Sequence, residues 1–269
     1  MNMRASKPRL TVCVLTYGNH PDLARRCLES IRRHTRRDLY RLVVGANAVC
    51  PETDTYLRDL QRRGAIDRVC RSHRNINKCP MMRRLFRHVE TPFLAWFDDD
   101  SYVTEPGALE RLLAVAQREP ARVAMWGQRA VCDHPSTFID LEDTDTFVRT
   151  APWYRGLTPP GWAPGGKGEF NFEGRGTGDP RWDFILGGFW LIRTRAVRAL
   201  DWPDRRLRQL GDDVLLCEAI RQQGWRFSNT GTPGILFNQA ERRGEPGVTQ
   251  LFPTRRRRES LGTGERPRP

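Results

Sequence analysis

A chain of 269 residues, 38% of them apolar and with 23 glycines, has the composition of a globular protein of one large domain or two closely joined halves. Wholesale disorder is excluded. So is a membrane span: the longest apolar run, Phe184 to Ile192, has nine residues, against the ~20 needed to cross a bilayer. The net charge of +13 favours polyanions, whether nucleic acid, anionic lipid or phosphorylated small molecules, and does not choose among them.

The seven cysteines are scattered and form no Cys-x-x-Cys pair, so neither a zinc site nor a disulfide framework is expected. They read as small buried thiols in a reducing compartment. The opening MNMRASKPRLTVCVL has cations but no long apolar stretch, unlike a signal peptide. A cytoplasmic protein is the expectation.

In chain order, residues 1–8 are a loose leader, and Leu10–Leu15 is a β-branched run that predicts a buried strand entering the loop Thr16-Tyr17-Gly18-Asn19. Pro21 starts a helix whose Leu23, Cys27, Leu28 and Ile31 share one face. Leu42–Val44 predicts a second strand, Tyr56, Leu57 and Leu60 a short helix, and Ile66–Cys70 a third strand. Met81, Met82, Leu85, Phe86 and Val89 mark a helix with Pro80 in its first turn. A fourth strand, Phe93–Phe97, runs straight into Asp98-Asp99-Asp100. Leu109 to Ala116 predicts a helix and Val123–Trp126 a strand. The stretch 129–182 is rich in Pro, Gly and Trp with little periodicity, and reads as a long acceptor-binding loop. Asp183–Arg193 returns to a buried strand with a Gly-Gly kink, and Asp212-Asp213 opens a helix that stops at Gly224. From residue 239 the chain is polar and basic; residues 254–269 hold six Arg and two Glu and read as a solvated tail. Strands alternating with helices predict an α/β layer with a mostly parallel sheet. Ligands in such sheets bind beyond the carboxyl ends of the strands.

Three features carry chemistry. On an extended segment Asp98 and Asp100 share a side. Two converging carboxylates stay ionised when a cation lies between them, and Mg2+ or Mn2+ suits oxygen ligands and a diphosphate. Arg74-Asn75-Ile76-Asn77-Lys78, at a helix start, offers cations and amides for phosphate oxygens; the alternative is a solvated basic loop. Asp212-Asp213 offers a helix cap, a general base for an attacking hydroxyl, or both.

The ordered segments LTVCVLTYGNHPDLARRCLESI, RNINKCPMMRRLF, FLAWFDDDSYV, FILGGFWLIRTRAVRAL and GDDVLLCEAIRQQGWRF resemble the inverting family 2 glycosyltransferases with the GT-A fold. The resemblance covers residues 9–230. It implies a Rossmann-like domain over 9–238, with a nucleotide-sugar half (9–100) and an acceptor half (101–238), followed by the basic tail 239–269. It implies that Thr16 and Tyr17 contact the nucleotide base, that Asp98 lies near ribose and uracil, and that Asn75 and Lys78 face the nucleotide and diphosphate. Asp100 corresponds to the metal ligand, with Asp98 beside it, and Asp99 shares the nucleotide or metal role. Gly187 and Gly188 match the acceptor-side Gly-Gly segment. Asp212 and Asp213 match the catalytic pair, Asp213 being the better match to the base. Where the family has an acidic base-binding residue after the second strand, this chain has Val44-Gly45-Ala46-Asn47, and Asn47 is the substitute.

The implied reaction is metal-dependent (Mn2+ or Mg2+) transfer of one hexose from a nucleotide-diphosphate-sugar, UDP-linked, to an acceptor hydroxyl with inversion. The acceptor is a saccharide, a lipid-linked species or a small molecule. The Gln-x-x-Arg-Trp pattern of processive synthases is missing, which implies single-sugar transfer. Trp153, Trp162, Trp182, Trp190 and Trp225 are candidates to stack on sugar rings. Trp162 and Trp182, in polar Gly-rich context, are the better ones; Trp190 lies in an apolar strand and reads as core. No specific nucleic acid is expected as partner; the tail suits peripheral contact with an anionic membrane. Two other readings stay open: a nucleotidyltransferase, which TYGNHPD fits poorly as a phosphate loop, and a basic nucleic-acid-binding protein without catalysis.

Overall fold

The computed structural model describes residues 7–132, 144–157, 182–209, 211–228 and 230–237. Nine strands and seven α-helices alternate along these residues. Strand β1 (Leu10–Tyr17) leads to α1 (Pro21–His34), β2 (Tyr40–Asn47), α2 (Pro51–Arg62), β3 (Arg68–Ser72), α3 (Lys78–Phe86) and β4 (Phe93–Asp98). Then come β5 (Ser101–Val103), α4 (Ala108–Arg118), β6 (Val123–Cys132), α5 (Thr144–Arg149) and β7 (Trp182–Arg193). Helices α6 (Thr194–Leu200) and α7 (Asp212–Gln222) and strands β8 (Arg226–Phe227) and β9 (Ile235–Phe237) complete the chain.

Seven strands form one sheet in the order β3-β2-β1-β4-β7-β6-β8, and β5 pairs with β9 separately. Strands β3, β2, β1 and β4 are mutually parallel. Strand β7 is antiparallel to both β4 and β6, and β8 is parallel to β6. The sheet is thus mostly parallel, as the alternation of elements predicts. Side chains alternate across β1: Cys13 and Leu15 enter one core with Trp96 and Trp190, while Leu10, Val12 and Val14 enter the other with Leu28 and Ile31 of α1. Helices therefore cover both faces, and the strands are buried on both sides. In the first core Trp96 stacks on Trp190 with centroids 5.9 Å apart, and Phe86 meets both edge-on.

Four expectations change. Strand β2 runs to Asn47, past the apolar run, because Gly45 and Ala46 pair with Leu15 and Thr16 of β1. A Cβ at Gly45 would lie 2.9 Å from Met81 Cγ, so α3 packs close where a side chain would stand. Strand β4 ends at Asp98 and Asp99-Asp100 form a turn before β5, so the period-two argument for Asp98 and Asp100 stops at Asp98. Trp153 is 1% exposed, so it packs in the core and has no face for a sugar. The stretch 129–182, read as one long loop, carries α5 and the ends of β6 and β7. Trp162 and the basic tail lie outside the described residues, as does the side chain of Trp182. Among the described cysteines, Cys13, Cys27, Cys79 and Cys217 are buried.

Candidate active site

The parallel register brings the C-terminal ends of β1, β2, β3 and β4 to one edge of the sheet. Tyr17, at the end of β1, is 36% exposed. Its backbone N–H donates to Asp99 Oδ2 at 3.1 Å, which ties the first and fourth strand ends. Its hydroxyl accepts from Asn75 Nδ2 at 3.4 Å. Asn47 is buried and its amide faces the 74–78 loop: Nδ2 donates to Asn75 Oδ1 (3.1 Å) and Asn77 O (3.4 Å), and Oδ1 accepts from Ile76 N–H (3.0 Å). Asn47 therefore shapes this loop, and Asn75 and Tyr17 are what the loop exposes. The hydroxyl of Thr16 is buried and donates to Gly45 O at 2.8 Å, so it joins β1 to β2 within the sheet.

Lys78, the first residue of α3, reaches the centre of the site. Its Nζ lies 3.1 Å from Asp98 Oδ2, 3.3 Å from Asp212 Oδ2 and 3.3 Å from Gly187 O. It also stands 5.8 Å over the ring of Trp96, whose Nε1 donates to Asp98 Oδ1 at 3.1 Å. Burial by itself pushes an ammonium's pKa down. Here the carboxylates of Asp212, Asp98 and Asp213 overcome burial and hold Lys78 above its ordinary value. Lys78 is thus the cation that joins the end of β4 to the start of α7.

Asp212 and Asp213 open α7 behind Gly211, whose φ of +78° is open to glycine and strained for other residues. Asp212 is 6% exposed. Burial pushes its carboxyl up to about 7, against the pull of Lys78. Asp213 is also pushed above its ordinary value by burial, while Lys78 and its backbone N–H donors pull it back. Three carboxylates thus face one ammonium in a poorly solvated site, and holding all of them ionised is costly.

The backbone that receives Asp213 comes from a bulge. Gly127 pairs with Trp190 and Arg129 with Ile185, so two steps along β6 match five along β7. The extra residues of β7 leave the ladder around Leu186-Gly187-Gly188. Freed there, Gly187 N–H donates to Asp213 Oδ2 at 3.0 Å, Gly187 O accepts from Lys78, and Gly188 O accepts from Ser101 Oγ at 2.9 Å. A Cβ at Gly187 would stand 3.1 Å from Asp213 Oδ2 and 3.3 Å from Lys78 Nζ. At the other end of α7, Glu218 is fully buried between Arg221 (2.7 Å) and Gln222 (2.6 Å). Gln222 in turn accepts from Arg155 N–H at 3.0 Å. This clamp fixes the helix that carries the base candidate.

Among the expected residues, Lys78, Asp98, Gly187, Asp212 and Asp213 meet in one cluster, and Tyr17, Asn47, Asn75 and Asp99 form the adjoining chain of hydrogen bonds. The roles of Trp96 and of the Glu218 clamp are not visible in the sequence, because an apolar strand residue and a helical Glu-x-x-Arg pair have ordinary structural uses.

The donor chemistry suits a hard divalent cation. Asp98 has both oxygens engaged, by Trp96 and Lys78, and Asp99 and Asp100 are buried carboxylates at 2% and 3% exposure. Among the described residues no group of three or more His, Cys, Asp or Glu forms a complete cage. Mg2+-type ions are commonly held by only one or two carboxylates plus substrate phosphates, and the Asp98–Asp100 turn offers that many.

The sequence profile of Glycosyl transferase family 2 matches residues 11–200. The mannosyltransferase PcManGT from Pyrobaculum calidifontis, solved in complex with GDP-Man and Mn2+, is similar in fold: TM-score 0.55, 17% identity, covering 84% of this chain and 55% of that one. The crystal structure of S. aureus TarS 1-349 is similar at TM-score 0.51 and 15% identity, over 79% of this chain and 55% of that one. The chain thus spans just over half the length of either solved protein. No curated protein sequence matches it. At such identities the structural likeness speaks for the fold alone, which is GT-A. With the profile extending over most of the chain, the protein belongs to glycosyl transferase family 2.

Proposed function

We propose that this protein moves one sugar from a nucleotide-diphosphate-sugar to an acceptor hydroxyl by a single inverting displacement. The observation that carries the reading is the meeting of Asp213 with the β7 bulge, one lysine away from Asp98. The nucleotide lies across the ends of β1 and β4, with its base against Tyr17 and Asn75 and the loop behind them held by Asn47. Thr16 acts through the sheet that carries Tyr17. Asp100, with Asp98 and Asp99 beside it, holds Mn2+ or Mg2+; when bound, that ion supplies positive charge to the departing diphosphate. Lys78 adds a fixed cation at the same spot.

Asp213 accepts the proton of the acceptor hydroxyl. The acceptor oxygen bonds to the anomeric carbon as the bond to the diphosphate oxygen breaks on the opposite face, and the configuration inverts. Gly187-Gly188 forms the acceptor side, and Trp182 and Trp162 are the residues assigned to stack on the acceptor sugar. Asp212 holds Lys78 and opens the helix, which leaves Asp213 as the base. The donor is a UDP-sugar in this reading; GDP-mannose is the natural second donor, since that nucleotide sugar is bound by PcManGT. No helix among the described residues is long and apolar enough to cross a membrane. We place the protein in the cytoplasm, acting on a saccharide, lipid-linked or small-molecule acceptor.

The test is a panel of nucleotide-sugars with Mn2+ or Mg2+, read by thermal shift and by release of nucleoside diphosphate. Asp213→Asn is expected to lower turnover by about 10²–10⁴-fold while donor affinity stays near that of the parent. Asp100→Ala is expected to weaken donor binding in Mn2+ and to leave binding in EDTA unchanged. Release of pyrophosphate in place of nucleoside diphosphate would make the protein a nucleotidyltransferase.

A further inference from the structure

We propose that the end of the molecule opposite the cleft is a docking face for an anionic lipid surface. The topology concentrates charge there. Parallel β1, β2, β3 and β4 begin at one end and finish at the cleft, so the helices that return between them finish where the strands begin. Helix C-termini favour cations. Here α1 ends with Arg32 and Arg33, α2 with Arg62, and α3 with Arg83 and Arg84. The acidic first turns of α1, α2 and α7 belong to the cleft end.

The densest part of this face lies around the turn between α3 and β4. Arg84 reaches back to Arg71 O at 3.4 Å, in register with Ala46 and Thr16, and so belongs to the cleft end of β3. Arg198 of α6 donates to Val89 O at 2.9 Å. Burial, with Arg68, Arg41 and Arg87 around it, holds the neighbouring His88 below its ordinary pKa. Arg68, Arg87 and Arg198 are exposed. The carboxylates nearby are already matched: Glu90 pairs with Arg41, and Asp67 with Arg37 at 2.8 Å. Three exposed guanidiniums therefore remain without an ion pair on this face among the described residues.

These cations come singly from the start of β3, the end of α6 and the turn after α3. Scattered single charges suit a field of laterally mobile headgroups better than the fixed phosphate spacing of one nucleic-acid strand. Docking here leaves the cleft, with its aspartates, facing away from the surface and open to water. The proposal is independent of the sugar-transfer reading.

The experiment is co-sedimentation of the full chain with vesicles of phosphatidylcholine alone and of phosphatidylcholine with phosphatidylglycerol, at low and high salt. Each cation near an anionic leaflet contributes about fivefold in partitioning, so Arg68→Glu with Arg87→Glu is expected to lower binding to the anionic vesicles by about 25-fold or more. High salt is expected to abolish it. A second full-length variant, with Arg255, Arg256, Arg257 and Arg258 all changed to Gln, separates the tail from the face and is expected to keep most of the binding. Circular dichroism and the melting temperature of both variants report whether they remain folded. The proposal is overturned if the parent ignores anionic vesicles at low salt, if the double variant binds like the parent, if the tail variant alone accounts for the loss, or if duplex RNA displaces the vesicles at equal phosphate.

Discussion

Gly187→Ala tests the geometry of the site with the smallest possible change. The added methyl stands 3.1 Å from Asp213 Oδ2, 3.3 Å from Lys78 Nζ and 3.4 Å from Asp213 Cβ. These separations are too short for comfort, and the carboxylate is the part able to turn away. Turning away breaks the 3.0 Å bond from Gly187 N–H. A hydrogen bond to a charged group contributes about 1.5–3 kcal/mol. If that bond holds the base where the transition state needs it, losing it slows turnover by about 10- to 150-fold, at tenfold per ~1.4 kcal/mol. Overpacking costs about 1–3 kcal/mol of stability as well. The assay measures kcat, KM and donor affinity by calorimetry, with thermal denaturation alongside. We expect kcat to fall within that range, donor Kd to change by less than about threefold, and the melting temperature to drop by several degrees, since 1 kcal/mol shifts it by about 2–4 °C in a chain of this size. A kcat within twofold of the parent refutes the claim that Gly187 aims Asp213. An equal loss of donor affinity refutes the division between donor and acceptor sides.

Lys78→Met leaves buried Asp212 and half-buried Asp98 without their cation; stranding a buried charge in this way typically costs about 3–5 kcal/mol. Adding Asp212→Asn to Lys78→Met is expected to restore part of that loss in a denaturant titration; strict additivity of the two variants would mean the pair does not interact. The pH profile has a definite sign. Burial raises Asp213 above its ordinary value, and a base acts only when ionised. Activity therefore rises with pH, with an acid limb above the usual carboxylate range near ~3.9. An acid limb in kcat/KM at or below that range would remove Asp213 as the base or its burial as the cause. Asp213→Asn and Asp100→Ala complete the set, one acting on turnover and the other on metal-dependent donor binding.

Local signals made much of this protein legible. The run Leu10–Leu15, the face of α1 and the apolar stretch before Asp98-Asp99-Asp100 each match an element in the structure, because a strand buried on both faces needs a continuous apolar run. The misjudged pieces are those where packing outweighs local preference. Gly45 and Ala46 are poor strand residues, yet β1 holds them in register. Trp153 stands among Pro, Gly and Arg in sequence, and the fold encloses it.

Lys78 shows the same boundary within the site. Its position at a helix start suggests a contact with phosphate; the fold adds partners that the sequence does not show, carboxylates from β4 and α7 and a carbonyl from β7. The sequence alone determined the alternation of β1 to β4 with α1 to α3, the acidic turn after β4 and the acidic start of α7, since each follows from hydropathy period and residue type within a few positions. Only the tertiary structure decided that β7 bulges at Gly187 and that Lys78 turns inward between Asp98 and Asp212. Those outcomes depend on the register of β6 against β7 and on how α3 and α7 seat against the sheet, which are set by close packing of side chains far apart along the chain.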